Sequence, residues 1–298
     1  MTRNQHGYGS PGAFRRALTD RLRAIAKDGR WTLPQLQRQI AYDRLLERLY
    51  LVDDGWIVKG AAALLARNLG VRATIDVDLY RAQARDVAEA ELREGVSRDI
   101  GDWFRFDIGA GRAVGDGDAG VRLPAVAYVG LTEWARFHID LVGSDLRMTG
   151  EPEPVPPLAR VLMPDVEQHG YRAYPLVDHV ADKVVATFQL YGGQQRPSTR
   201  YKDLVDLVSI VTGASVAAAP QLAAVNSEAQ RRAVNLPRRF DVPDRSLWVP
   251  GYAAEAGRSL LTIAVSLEEA LATVRPFMDP LLDRTATGQW VPNRRAWE

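Results

Sequence analysis

The sequence predicts an α+β chain, a mixed α/β lobe followed by a helical one, on three observations. Between residues 56 and 142 short runs alternate apolar and polar side chains, the period of strands. A connection reading Glu-Pro-Glu-Pro-Val-Pro-Pro over 151–157 then breaks the pattern. Beyond Leu176 apolar residues recur at three and four, the period of helices. The expected domains are 1–150, N-terminal helices plus an α/β core with a mixed sheet, and 151–298, a helical lobe completing the active site. At 298 residues the chain can bury one good core and a smaller second one.

Taken in order, Phe14, Leu18, Leu22 and Ile25 give residues 11–27 one apolar helical stripe with arginines opposite. Thr32 ahead of Leu33 and Pro34 is an N-cap with proline in the first turn. It opens a second helix that runs to about Leu51 on Leu36, Ile40, Leu45 and Leu49. Residues 56–59 form a short strand, 61–68 an alanine- and leucine-rich helix stopped by Gly70, and 71–80 another strand. A polar helix over 85–95 precedes strands at 103–108, 125–131 and 135–142. The proline-rich 151–157 is an extended linker or rim. Helices are expected over 176–191, 201–212, 217–233 and 266–282, with Gly213 ending the second. Residues 192–199 form a loop, and 238–252, with Pro243 and Pro250, an irregular segment.

Composition narrows the chemistry. There is no cysteine, which excludes disulfides, thiolate catalysis and Cys-type zinc sites. No apolar run reaches the ~18 residues of a membrane span, and the first ten residues lack the apolar stretch of a signal peptide. A cytoplasmic protein without membrane contact, and a monomer, is expected. The formal net charge of +1 supplies no global field for nucleic acid, so such binding must use local patches. Of 38 basic residues only Lys27, Lys59, Lys183 and Lys202 are lysine. Where arginine is the default cation, a retained lysine points to a need for a compact charge.

Three of those lysines, Lys59, Lys183 and Lys202, lie in the segments that carry the candidate chemistry. Lys59, Gly60 and Ala61 precede the strand that carries Asp76 and Asp78. Residues i and i+2 of a strand share a face, so the two aspartates project together while Ile75, Val77 and Leu79 point into a core. Paired carboxylates repel unless a cation sits between them. Oxygen-only ligands suit Mg²⁺, with Mn²⁺ as a second choice, completed by waters and substrate phosphates. That makes Asp76 and Asp78 candidate metal ligands of a phosphoryl or nucleotidyl transferase, although Asp-x-Asp is also common at exposed strand ends. Thr74, expected on the same strand face, is either an ordinary strand threonine or a hydroxyl open to inactivating phosphorylation.

Asp140, between Ile139 and Leu141, is either a solvated strand end or a third carboxylate. In the second role it would accept the proton of an attacking hydroxyl or hold a second metal. Lys183 follows Asp182 on a helix, and adjacent helical residues do not face each other, so Asp182 is not expected to neutralise it. Opposite an acid cluster Lys183 would hold a triphosphate; otherwise it is an exposed helical lysine. Asp203 and Asp206 share a helix face, with Lys202 nearby.

Together these segments resemble a known family. Gly60…Asp76-Val77-Asp78, Phe137-His138-Ile139-Asp140, Asp182-Lys183-Val184-Val185-Ala186 and Arg200-Tyr201-Lys202-Asp203-Leu204-Val205-Asp206 follow the order found in the AbiEii/AbiGii group of nucleotidyltransferase toxins, including the mycobacterial MenT type. The resemblance implies a DNA-polymerase-β-like nucleotidyltransferase core and a helical C-terminal half. It implies Asp76 and Asp78 as metal ligands, Lys183 as triphosphate contact and Asp206 as a further active-site acid. It also implies addition of nucleotides, commonly pyrimidine from CTP or UTP, to the 3′ end of tRNA, which blocks aminoacylation and translation, and a cognate antitoxin as partner. The chain departs from the family's first motif in having Ala61 after Gly60. With no hydroxyl there, the turn would bind phosphate through backbone N–H groups, and the expected nucleotide-binding residues are Lys59, Gly60, Ala61, Thr74, Lys183 and Lys202.

Two other functions stay open on the residues alone. One keeps the core and changes the acceptor to a protein hydroxyl or a small molecule such as an aminoglycoside. The other is a non-catalytic nucleotide-binding partner protein. RNA contacts would fall to Arg15, Arg16, Arg21 and Arg23 or to Arg231, Arg232, Arg238 and Arg239, each equally readable as a solvated face. Trp248 and Tyr252 are candidates for base stacking, with a core role favoured, and His6, His138, His169 and His179 are read as structural or surface residues.

Overall fold

A computed structural model describes residues 7–114, 120–143, 146 and 148–298. The N-terminal six residues, His6 among them, and Ser144 and Asp145, which bore on the strand-end reading of Asp140, lie outside the described residues. The chain divides into two compact units. One comprises Met1–Arg67, Thr74–Leu146 and Glu153–Ala173; the other comprises Asn68–Ala73, Arg147–Pro152 and Tyr174–Glu298. Residues 153–173, beyond the boundary expected at 150, therefore pack with the first.

The first unit holds α1 (Pro11–Asp28), α2 (Leu33–Tyr50), β1 (Trp56–Lys59), α3 (Gly60–Ala66), β2 (Asp76–Arg81) and α4 (Arg85–Val96). Then come β3 (Phe104–Ile108), β4 (Arg112–Val114), β5 (Gly120–Val129), β6 (Thr132–Val142), β7 (Glu153–Val155) and β8 (Tyr171–Ala173). Among the described residues these eight strands form one sheet in the order β3-β5-β6-β2-β1-β8-β7, with β4 also on β5. Pairs β2–β6 and β1–β8 are parallel and the others antiparallel, which makes the sheet mixed as expected.

Local chemistry explains the boundaries. Ser10 Oγ accepts from Ala13 N at the start of α1, where Phe14, Leu18 and Leu22 are fully buried. Ile25, expected on the same stripe, is 39% exposed because the last turn of α1 lies at the surface. Gln35 accepts from Thr32 N at 2.8 Å and caps α2. The helix expected to reach Asn68 ends at Ala66, since Asn68 itself takes a left-handed conformation at φ 58°. Strand β2 begins at Asp76, not at 71. Thr74 Oγ1 accepts from Asp76 N at 3.1 Å and donates to Asp76 O at 2.9 Å, a local bond that stands in for the ladder. Ile75 is consequently 52% exposed, not in the core. The proline-rich stretch contains β7, an edge strand, where Pro154 costs no interior ladder bond.

Helix α2 is buried over most of its circumference, charged residues included. Asp102 receives Arg44 Nε at 2.6 Å and Arg48 Nη2 at 2.7 Å, all three side chains being at most 2% exposed. Arg48 also donates to Phe104 O at 2.7 Å and Arg98 O at 3.0 Å. Burial alone would raise the Asp102 pKa, but the Arg48 and Arg44 guanidiniums outweigh it and hold the carboxyl below its ordinary range.

The second unit holds α5 (Leu176–Phe188), α6 (Tyr201–Gly213), α7 (Ala218–Arg231), α8 (Arg245–Gly257), α9 (Leu267–Leu282) and the strand pair β9 (Trp290–Val291) and β10 (Ala296–Trp297). Helix α8 occupies the segment expected to be irregular. Asp244 caps it by accepting from Ser246 N at 2.9 Å, and the helix accommodates Pro250. Gly251 makes room for the Tyr201 ring, which a Cβ would meet at 2.4 Å. Trp248 and Tyr252 are fully buried, their polar atoms bonded to Ser198 O and Ala264 O at 2.7 Å each, so both are core anchors. No helix among the described residues is long and apolar enough to cross a membrane.

The Asp102 cluster predicts a stability effect. Asp102→Ala leaves two buried guanidiniums uncompensated and should destabilise the chain by about 3–5 kcal/mol in urea denaturation. Because the folded pKa of Asp102 lies below its unfolded value, its contribution is present above the unfolded pKa and lost as pH falls through the folded one. The wild-type chain should therefore lose stability below about pH 4 more steeply than the Asp102→Ala chain.

Candidate active site

Strand β2 sorts its side chains by face: Val77 and Leu79 are fully buried, and Asp76 and Asp78 are half-buried on the opposite side. Its parallel partner β6 matches Asp76 with His138 and Asp78 with Asp140, while Ile139 and Leu141 enter the core. On the other edge β1 sets Lys59 opposite Asp78, and β5 sets Arg122 opposite Asp140. Residues opposite one another share a sheet face. One cross-strand row therefore reads Lys59, Asp78, Asp140, Arg122, two carboxylates with a cation at each end.

Arg122 holds Asp140 through both oxygens, at 2.6 and 2.5 Å, and lies 3.8 Å from Asp76 Oδ1. Its pKa rises, chiefly through the hydrogen bond to Asp140. The carboxylate expected as a proton acceptor is thus engaged through both oxygens by a guanidinium. Arg122 was not among the sequence candidates; its position between Val121 and Leu123 was the available signal, but its partner depends on the β5–β6 register. His138, read as structural or surface, belongs to this cluster instead, with Nδ1 3.3 Å from Asp76 Oδ1. Neither atom makes a well-formed hydrogen bond, although both are buried.

Gly60 opens α3 at φ +56°, and a Cβ there would stand 1.9 Å from Asp78 Oδ2. Glycine is required twice, for the left-handed conformation and for the close approach of the carboxylate. Ala61 is buried. Thr74 precedes the strand, its hydroxyl engaged with the Asp76 backbone as described, and Thr74 O accepts from Tyr42 Oη at 3.0 Å. Burial pushes the Tyr42 hydroxyl pKa upward, with Arg38 opposing and the Asp76 and Asp78 charges adding to the rise.

An orphaned carboxylate oxygen beside a second aspartate on the same face fits a hard divalent cation. Among the described residues no three His, Asp or Glu side chains converge as a metal cluster. An ion here would have two protein carboxylates and complete its shell from water or phosphate, the usual habit of Mg²⁺.

The helical unit holds a second cluster. Lys183 on α5 is buried at 5% exposure, not a surface lysine. Its Nζ donates to Asp203 Oδ1 at 3.0 Å and Asp206 Oδ2 at 2.7 Å on α6. Arg72 grips Asp206 with Nε at 2.9 Å and Nη2 at 2.8 Å, and Arg200 bonds Asp203. Arg72, expected in a strand, was not foreseen in this role. Burial works against every charge here, but the mutual attraction wins: Lys183 is raised by Asp203 and Asp206, and both aspartates are lowered mainly by Lys183. Asp182 turns instead to Arg232, 3.5 Å away, as the helix geometry required. Lys202 is exposed, away from this buried face. Several arginines considered for RNA contact are engaged within the chain: Arg15 with Thr132 O and Glu133 O, Arg21 with Leu162 O, Arg23 with Asp20, and Arg231 and Arg232 with Glu228.

Lys183→Met would leave two buried carboxylates facing only Arg72 and Arg200. A destabilisation of about 3–5 kcal/mol is expected in urea denaturation at pH 7. It should shrink at pH 5, where protonation can relieve the unpaired carboxylates. Equal destabilisation at both pH values would contradict this account.

A search of curated proteins finds no match. Among solved structures, MenT4, a nucleotidyltransferase toxin from Mycobacterium tuberculosis H37Rv, is similar at 17% identity and TM-score 0.57, over 90% of this chain and 89% of that one. JHP933 from Helicobacter pylori is similar at 15% identity and TM-score 0.47, over 83% and 92%. The first likeness supports the fold, a mixed sheet with a helical portion. The family model described as nucleotidyl transferase AbiEii toxin, type IV TA system, matches residues 44–292 and so takes in both clusters. The chain belongs to the AbiEii nucleotidyl transferase toxin family, which makes it a toxin-type nucleotidyltransferase with a nucleotide substrate and an antitoxin partner.

Proposed function

We propose that this nucleotidyltransferase adds pyrimidine nucleotides, from CTP or UTP, to the 3′ end of tRNA and thereby blocks aminoacylation and translation. The observation that carries the catalytic part is the pairing of Asp76 and Asp78 on one face of β2, with Asp76 Oδ1 buried and lacking a hydrogen bond. The choice of acceptor and base is supported by the motif order shared with the toxin family.

In this reading Asp76 and Asp78 hold Mg²⁺, with Mn²⁺ as a substitute. When bound, the ion neutralises phosphate charge as a Lewis acid. The chain's own cations add to that neutralisation, because Lys59 and Arg122 bracket the carboxylate row and favour phosphate oxygens along it. Asp140 positions Arg122 through its two-oxygen grip. Gly60 brings the backbone against Asp78 and fixes where that carboxylate sits. In the helical unit Lys183 serves as triphosphate contact with its remaining donor capacity. Asp203 and Asp206 hold it charged. The product, a tRNA with extra 3′ nucleotides, presents no normal acceptor end. The enzyme acts in the cytoplasm as a monomer.

Incubation with each of four α-labelled nucleotides and total RNA, followed by sequencing of RNA 3′ ends, tests this directly. Cytidine or uridine at tRNA 3′ ends is expected. Label that survives ribonuclease would instead indicate a protein or small-molecule acceptor. Asp78→Ala should reduce labelling to that of a control without enzyme, with unchanged far-UV circular dichroism. Chelation of divalent cations should do the same to the wild type, and added Mg²⁺ should restore it.

A further inference from the structure

A cavity of about 740 Å³ opens in the helical unit, walled by Tyr191, Gly192, Gly193, Arg196, Arg200 and Leu247. The loop that shapes it, between α5 and α6, is held at several points. Tyr191 and Arg196 exchange backbone hydrogen bonds of 2.9 Å. Tyr191 Oη donates to Ala186 O at 3.2 Å, and the buried Trp248 indole donates to Ser198 O at 2.7 Å. Arg200 is tied to Asp203, and Arg196 Nε to Gln194 Oε1 at 2.9 Å.

The lining combines two chemistries. Of the two guanidinium groups in the lining, Arg200 is paired with Asp203, whereas Arg196 has the neutral Gln194 as its side-chain partner and keeps its charge for an anion. Leu247, 43% exposed, together with Pro197 and the Tyr191 ring, provides apolar surface on which a flat group can rest. Gly193 has neither a positive φ nor any atom within 4 Å of where a Cβ would stand, so nothing inside the fold demands glycine there. The bare backbone leaves room for a ligand to come close. A guanidinium beside an apolar face matches one phosphate and an adjoining base of a single strand. A compact triphosphate would concentrate its charge at one point.

We propose that this cavity receives the single-stranded 3′-terminal nucleotides of the RNA acceptor. The inference rests on the reading of the acceptor as an RNA end. It assigns RNA positioning to Arg196 and Leu247, which belong to neither carboxylate cluster.

The test measures binding of a fluorescein-labelled five-nucleotide single-stranded RNA to the full chain by anisotropy, alongside calorimetry with CTP and Mg²⁺ and labelling of total RNA. Arg196→Ala and Leu247→Glu should each weaken RNA binding by about 10-fold and leave the CTP dissociation constant unchanged. Arg196→Ala should also lower the slope of log Kd against log salt by about 0.7, the signature of one lost phosphate contact on a single strand. Gly193→Trp, which fills the cavity from an exposed loop, should weaken RNA binding even where the Arg196 effect is small. If the wild type binds and labels RNA while all three variants bind it equally well, the cavity assignment falls and the acceptor reading stands. Loss of CTP binding in the variants would assign the cavity to the nucleotide and overturn the inference. If the wild type labels no RNA, the acceptor reading fails and this inference with it.

Discussion

The parallel pairing of β2 with β6 is the constraint on which the carboxylate face depends. Four buried side chains, Val77, Leu79, Ile139 and Leu141, lock the register by filling the core side of both strands. A slip by one residue would turn every side chain of β2 over, putting aspartates into the core and valine and leucine into the site. The hydrophobic penalty against that slip is what keeps Asp78 beside Asp140. Like charges side by side cost free energy, and the fold offsets this with Arg122 on one flank and Lys59 on the other. Packing sets the geometry, and charge pairing makes it tolerable.

The helical unit solves a related problem differently. Lys183, Asp203 and Asp206 are taken out of water on the facing surfaces of two helices, where isolated charges would be prohibitive. Arg72 and Arg200 complete the network from outside the helix pair. Three cations bind two carboxylates in this network. The network also ties the short segment 68–73 to α6, with Ser209 Oγ donating to Leu69 O at 2.5 Å.

Much of this was legible in the sequence because it is encoded at short range. Alternation revealed the faces of β2 and β6, so Asp76, Asp78 and Asp140 could be read as sharing an environment. Helical spacing put Asp203 and Asp206 on one face and turned Lys183 away from Asp182. Arg122, His138 and Arg72 escaped because their roles depend on non-local pairing that no window of sequence contains. The errors at Ile75 and Thr74 have a local cause: the threonine hydroxyl bonds the Asp76 backbone and replaces the ladder that β-propensity favoured. Helix α8 was obscured by Pro250, which a helix well capped by Asp244 accommodates. Strands β7 and β8, three residues each, are too short to show a period.

The burial of Lys183 has a consequence for chemical labelling. Amine-reactive reagents need an unprotonated nitrogen, and the two aspartates hold Lys183 protonated. With only four lysines in the chain, acylation at this one can be followed by peptide mass against a sparse background. Its rate of modification becomes a clock for local opening of the α5–α6 pair. Exposed Lys202, in the first turn of α6, supplies an internal standard for reagent strength.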